Sequence, residues 1–165
     1  MNFTLKEFFY NLYNRSLLSM LLSVVALLLI YYFIFIGIIP HLVEDVFIIN
    51  TLLIITPLIV IVALTIVHLR IAKHCKKISQ EPNLGNKLDL YFSQATQKTN
   101  SIIFASLILS TGFALTSNET FSIYFAVLIL WNLLQWPFPK KVCNNLKLKG
   151  DERKMVMTKG EAFKI

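Results

Sequence analysis

The stretch SLLSMLLSVVALLLIYYFIFIGIIPHLV, Ser16 to Val43, lies between Arg15 and Glu44 and runs for 28 residues without an Asp, Glu, Lys or Arg. A helix needs about 20 mostly apolar residues to cross about 30 Å of hydrocarbon, so this run can span a membrane. Backbone groups that face lipid must be bonded internally, which leaves a helix or a strand of a closed barrel. A barrel strand alternates polar and apolar residues, and Val24 to Phe35 does not. The reading is a helix.

Three more charge-free gaps follow: 24 residues between Asp45 and Arg70, 20 between Lys98 and Glu119, and 20 between Glu119 and Lys140. The predicted fold is therefore an all-α integral membrane protein with four transmembrane helices arranged as two hairpins. The spans are placed at about 17–39, 46–69, 101–116 and 121–136, within a bundle covering 17–139. Composition agrees. Of 165 residues, 56% are hydrophobic and only 15% charged, against about 25% charged in a typical soluble domain. Ordinary water-soluble enzymes, disordered tails and collagen-like fibres are excluded. The first run is too long for a signal peptide and no small-residue cleavage pattern follows it.

Basic residues set the expected orientation. All 16 Lys and Arg fall in 1–16, 70–100 and 137–165, while the loops near 40–45 and 117–120 carry Glu44, Asp45 and Glu119 instead. Both termini are therefore expected in the cytoplasm. The usage of Ile, Lys, Asn and Phe points to a bacterial inner membrane. The net charge of +7 reads as a topology signal with some attraction to anionic head groups. No recognition motif supports a nucleic-acid partner.

Residues 1–16 read as an interfacial amphipathic helix. Thr4 and Glu7 fit a capping box, and Leu5, Phe8, Phe9 and Leu12 recur at helical spacing. Small residues at Ser16, Ser19, Ser23 and Ala26, and again at Ser106, Ser110 and Ala114, form stripes of the kind that let membrane helices approach closely. The rhythm of Leu64, His68, Ile71, Cys75 and Ile78 carries the second helix to about Ser79. Glu81-Pro82-Asn83-Leu84-Gly85 is turn chemistry, and Leu88, Phe92 and Ala95 lead into the third span. Together they predict a helical hairpin projecting into the cytoplasm. Trp131 and Trp136 suit an interface, and Pro137 and Pro139 end the fourth helix. Residues 140–165 read as a basic cytoplasmic tail with a short helix from Asp151 to Met157. About 25 residues cannot form a soluble domain alone, so the tail is expected to be an anchor, a disordered end or a partner-binding element.

The chemistry is sparse. Cys75 and Cys143 form no Cys-x-x-Cys pair and are expected as free thiols. On one helix His68 and Cys75 share a face while His74 points away, which falls short of a zinc ligand set. His41 is expected to keep an outer loop in water. No metal or other cofactor is expected. No Asp, Glu, Lys or Arg lies within a span, which argues against proton-coupled or ion-coupled pumping and voltage sensing. Phosphate-loop, nucleophile-elbow and metalloprotease motifs are missing, and no paired catalytic carboxylates are visible.

Uncharged polar groups remain. Thr56-Pro57 is expected to kink the second span. Ser110, Thr111 and Gly112 lie at similar depth, and Asn132 and Gln135 sit on the fourth span. They form a candidate polar seam between helices, or ordinary interhelical packing. Lys76, Lys77, Lys87, Lys140 and Lys141 are candidates for partner or lipid contact. The expected function is that of a non-catalytic accessory or assembly protein, working in the lipid bilayer with a protein partner or as a homo-oligomer. The alternative is a minor transporter or channel component using the seam, and a membrane enzyme comes third.

Overall fold

The computed structural model describes residues 4–40 and 42–159; the expectation for His41 lies outside them. All the regular elements among the described residues are helices: α1 (Leu5–Phe35), α2 (Val46–Ile78), α3 (Leu84–Thr116), α4 (Thr120–Leu134), α5 (Pro139–Asn145) and α6 (Gly150–Met157).

Local chemistry explains the helix ends. The Thr4 amide donates to Glu7 Oε2 at 2.8 Å and the Glu7 amide to Thr4 Oγ1 at 3.3 Å, a reciprocal cap at the start of α1. No proline or glycine follows until Gly37, so α1 is one unbroken helix of 31 residues. From Leu5 onward, the residues expected as an interfacial helix are continuous with the rest of α1. Gly37 adopts φ +74°. This lets the Ile38 amide donate to the Phe33 carbonyl and the Gly37 amide to that of Ile34, each at 3.0 Å, the paired bonds that close a helix C-terminus. Asp45 Oδ1 accepts from the Phe47 amide at 2.8 Å to begin α2, and Asn83 Oδ1 accepts from that of Gly85 at 2.8 Å to begin α3. The helix α2 continues through Pro57. Pro139 opens α5, where its missing amide would be unbonded anyway.

Three helices, α1, α2 and α3, are long and apolar enough to cross a membrane. The expected fourth span falls on α4, which has 15 residues and is followed by α5 at a bend of 79°.

The chain divides into two compact units. The apolar unit comprises Leu18–Ile66 and Asn100–Gln135. Its centre is Val60, Ala105, Leu109, Phe113, Phe121, Phe125 and Leu128. Phe121 fills the space left by the absent side chain of Gly112: a Cβ there would lie 2.5 Å from the ring. Large side chains such as Leu28, Ile54 and Phe104 point outward, each at least 60% exposed. A helix apolar on all sides belongs in a protein core or a membrane.

The other unit, here the basic unit, takes the chain up to Leu17, Val67–Thr99, and Trp136 onward. It carries every Lys and Arg among the described residues. Its core is Phe8, Phe9 and Leu12 of α1, Cys75 and Ile78 of α2, Leu88 and Tyr91 of α3, and Val142, Cys143, Leu146, Leu148 and Val156 of the tail. The tail is therefore neither loose nor independent within its described part. It supplies apolar side chains that 25 residues could not bury alone. The short helix expected from Asp151 to Met157 is α6. Leu148 is brought back onto the core by the turn after α5, in which Lys147 takes φ 51° and the Leu148 amide reaches the Cys143 carbonyl at 3.0 Å.

Candidate functional site

Within the apolar unit the small stripes of α1 and α3 meet. Ser23 and Ser106 are each 1% exposed. Ser23 Oγ donates to the Ser19 carbonyl at 3.0 Å, and Ser106 Oγ lies 2.8 Å from Ser23 Oγ. Ser106 Oγ also lies 2.7 Å from the Ile103 carbonyl, so one proton serves two acceptors. Ser19 is buried and Ala26 and Ala114 are half-buried. Ser16 is also buried and belongs to the basic unit.

The seam residues separate. Thr56 and Asn132 are buried, and Pro57 and Gln135 half-buried. Thr111 is on the outer surface, its hydroxyl donating to the Leu107 carbonyl at 2.8 Å. It does not join a seam, because one residue along a helix is about 100° round its axis. Ser110 lies on the inner side, and its Oγ is buried with no hydrogen-bond partner. Asn132 Nδ2 is buried in the same condition. Ser117 Oγ is a third such atom of the apolar unit; an unsatisfied buried polar atom costs about 1–3 kcal/mol, so all three would gain from a ligand or a water.

The basic unit holds a second set of polar groups around its core. Lys87 is buried, and its Nζ meets Glu152 Oε2 at 2.9 Å and Oε1 at 3.1 Å. Lys87 thus ties α3 to α6, which removes it from the lysines open to a partner or lipid. Lys76, Lys77 and Lys140 are exposed and Lys141 is half-buried. Asn145 donates to Tyr91 Oη at 3.2 Å, and burial pushes the Tyr91 phenol up to about 12 despite that bond. Lys159 lies over the rings of Phe9 and Tyr13 at 5.9 and 5.5 Å, and Tyr13 stacks on Trp136 at 6.2 Å.

Both thiols are buried free cysteines, and burial raises each. They stay protonated near neutrality and are poor nucleophiles. His68 and His74 are exposed. Among the described residues no three His, Cys, Asp or Glu side chains gather as metal ligands would.

One residue passed over in the sequence stands out. Lys98 is half-buried, and burial followed by the nearby Lys141 lowers its ammonium to about 8. Leu88, Tyr91, Ala95 and Lys98 are spaced three, four and three apart, so Lys98 continues the inward stripe of α3. That spacing was the available signal: a lysine at a core position of an apolar stripe.

Set beside known proteins, the chain matches no family model, no curated protein and no solved structure.

Proposed function

We propose that the chain is a four-span protein of a bacterial inner membrane with both termini in the cytoplasm, and that it acts through surfaces as an accessory or assembly protein. The observation that carries this is the composition of the basic unit. Its core joins the start of α1, the α2–α3 turn and the tail. If α1 and α2 cross a membrane, the segment from α3 to the tail must cross an even number of times to return to that core. This supports a crossing by α4 as well as α3. At 1.5 Å per residue α4 alone rises only about 22 Å, so the uncharged residues up to Pro139 complete the passage. The confinement of every described Lys and Arg to this unit supports placing it on the cytoplasmic side.

An accessory role fits a unit that is well packed inside and densely basic outside, with both of its thiols buried. Gentle purification from native membranes with amine crosslinking and mass spectrometry tests it. A stoichiometric partner crosslinked to Lys76, Lys77 or Lys140 is expected. A clean homo-oligomer without a partner overturns the accessory reading.

A second reading is favoured by the orphaned Ser110 Oγ and Asn132 Nδ2. Groups like these can line a path for a small uncharged solute in a transporter or channel component. Loss of liposome flux on Asn132→Leu, with assembly unchanged, would support it.

A further inference from the structure

One lysine of the basic unit is seated on rings. The Lys159 ammonium stands 5.9 Å from the centroid of Phe9 and 5.5 Å from that of Tyr13, and among the described residues no carboxylate pairs with it. Both rings are braced. Phe9 meets Phe8 edge-on at 5.1 Å, and Tyr13 stacks on Trp136 at 6.2 Å. The cluster joins α1, the break between α4 and α5, and the end of α6.

Its occupant is loosely held. Lys159 lies just past the end of α6, is half-buried and takes φ 51°, a left-handed conformation that strains a residue with a Cβ. Its nitrogen stands near the outer limit of about 6 Å for a cation over a ring. That spacing suits a methylated ammonium, because one N–C bond plus a carbon contact puts its nitrogen about 5 Å from a ring.

We propose that Phe9 and Tyr13, the latter stacked on Trp136, form a binding site for a quaternary ammonium group, with Lys159 as an intramolecular plug that the ligand displaces. Such groups are recognised by aromatic surfaces. The surroundings add a filter. The chain carries a net charge of +7, so diffuse attraction does not gather cations around it. A cation stays only where contact with rings holds it. A free solute and a lipid head group can both carry this chemistry, and the site does not depend on the accessory role.

The test is saturation-transfer NMR on the methyl protons of tetramethylammonium. The full chain is held in a maltoside detergent, with sodium chloride as the ionic-strength control. Saturable binding is expected. It should tighten about tenfold in Lys159→Gln, which removes the competing plug. Lys154→Gln, which removes an exposed charge of α6, should barely change it. Binding should be lost in Tyr13→Leu and kept in Tyr13→Phe, which preserves the ring. The gain in Lys159→Gln tests the site even if Tyr13→Leu proves unstable. Absence of binding in Lys159→Gln overturns the site, and so does binding that survives in a folded Tyr13→Leu. Equal tightening in Lys154→Gln, or none in Lys159→Gln, overturns the plug. Phosphatidylcholine and free choline are then added as competitors. Displacement by phosphatidylcholine at far lower concentration assigns the group to a lipid, and equal displacement assigns it to a solute. Displacement by neither overturns the site.

Discussion

The two units are made from the same helices by opposite rules. In the apolar unit the most deeply buried side chains include Ser23, Ser106 and Ser110, while leucines and isoleucines face outward. In the basic unit Phe8, Phe9, Val142, Leu146 and Val156 are inside, and most of the lysines face out. The second arrangement is that of a water-soluble core, held by removing apolar area from water. The first would gain little from that effect if lipid surrounds it, because lipid tails are as apolar as leucine; close approach and hydrogen bonds then hold the helices together. The same kind of substitution should therefore have different consequences on the two sides of Leu17, Val67, Thr99 and Trp136.

The largest effect is expected where an apolar side chain is removed from the basic unit. Leu146 is 1% exposed, and Leu146→Ala should cost about 3 kcal/mol through lost burial and the cavity left behind. Limited proteolysis should then release fragments from the basic unit, most readily between Lys140 and Lys159, while the charge-free stretches of α1 to α4 remain protected. Simultaneous loosening of both units would show that the division between them has no energetic meaning.

Adding volume should hurt the apolar unit instead. In Gly112→Ala the new Cβ would meet three atoms of the Phe121 ring at 2.5 to 2.9 Å, and Phe121 is fully buried and cannot retreat. A loss of about 2 kcal/mol is expected, recovered in part by Phe121→Leu. In the basic unit Gly85→Ala makes the matching control, since its Cβ would meet only Asn83 Oδ1, at 3.3 Å. Unfolding in detergent should distinguish the two alanine variants clearly.

How far these rules were legible in the sequence differs between the units. Charge gaps marked the apolar helices, and a cap marked the start of α1. Thr4 and Glu7 bond as a capping box does, and α2 stops at Ile78, one residue short of the position read from the rhythm. The basic unit was less legible because its core is assembled from three distant segments. Val142, Leu146 and Val156 are isolated apolar residues among charges, and no local period says that they meet Phe8 or Leu88. Within α3 the stripe was read through Phe92, whereas Tyr91 is the residue that is buried. That single step hid Lys98, which follows from Tyr91 and not from Phe92.

Lys98 gives a smaller effect with a pH signature. Its ammonium falls from 10.5 to about 8 on folding. Between those values the unfolded chain holds a proton that the folded chain has released, so the contribution of Lys98 to stability rises with pH across that window. Below about pH 8 the cost of the buried charge is fully present. The shift sets an upper limit of about 3 kcal/mol, and water at the edge of the site brings it to about 1–2 kcal/mol. Lys98→Met should therefore be more stable than the unaltered protein at pH 7, with the advantage fading toward pH 10.5. Tyr91, raised to about 12, makes folding less favourable from pH 10 upward in both proteins and cancels in the comparison. An advantage that is independent of pH would mean that methionine simply packs better there.

The smallest effect tests what joins helices in the apolar unit. Ser23 and Ser106 are separated by 83 positions in sequence and by 2.8 Å between hydroxyl oxygens. In a membrane such a bond is worth about 0.6 kcal/mol, because each hydroxyl has an alternative on its own helix. Here the alternatives are visible: Ser23 reaches the Ser19 carbonyl and Ser106 that of Ile103. A double-mutant cycle with Ser23→Ala and Ser106→Ala should return a coupling of about that size. The total loss should stay small, since alanine keeps the stripe narrow. Replacing both by Val should cost more than replacing both by Ala, although valine is the more apolar residue, because it would push α1 away from α3. The opposite order would mean that apolar burial holds this unit as it does the other, and the contrast between the two units would fail.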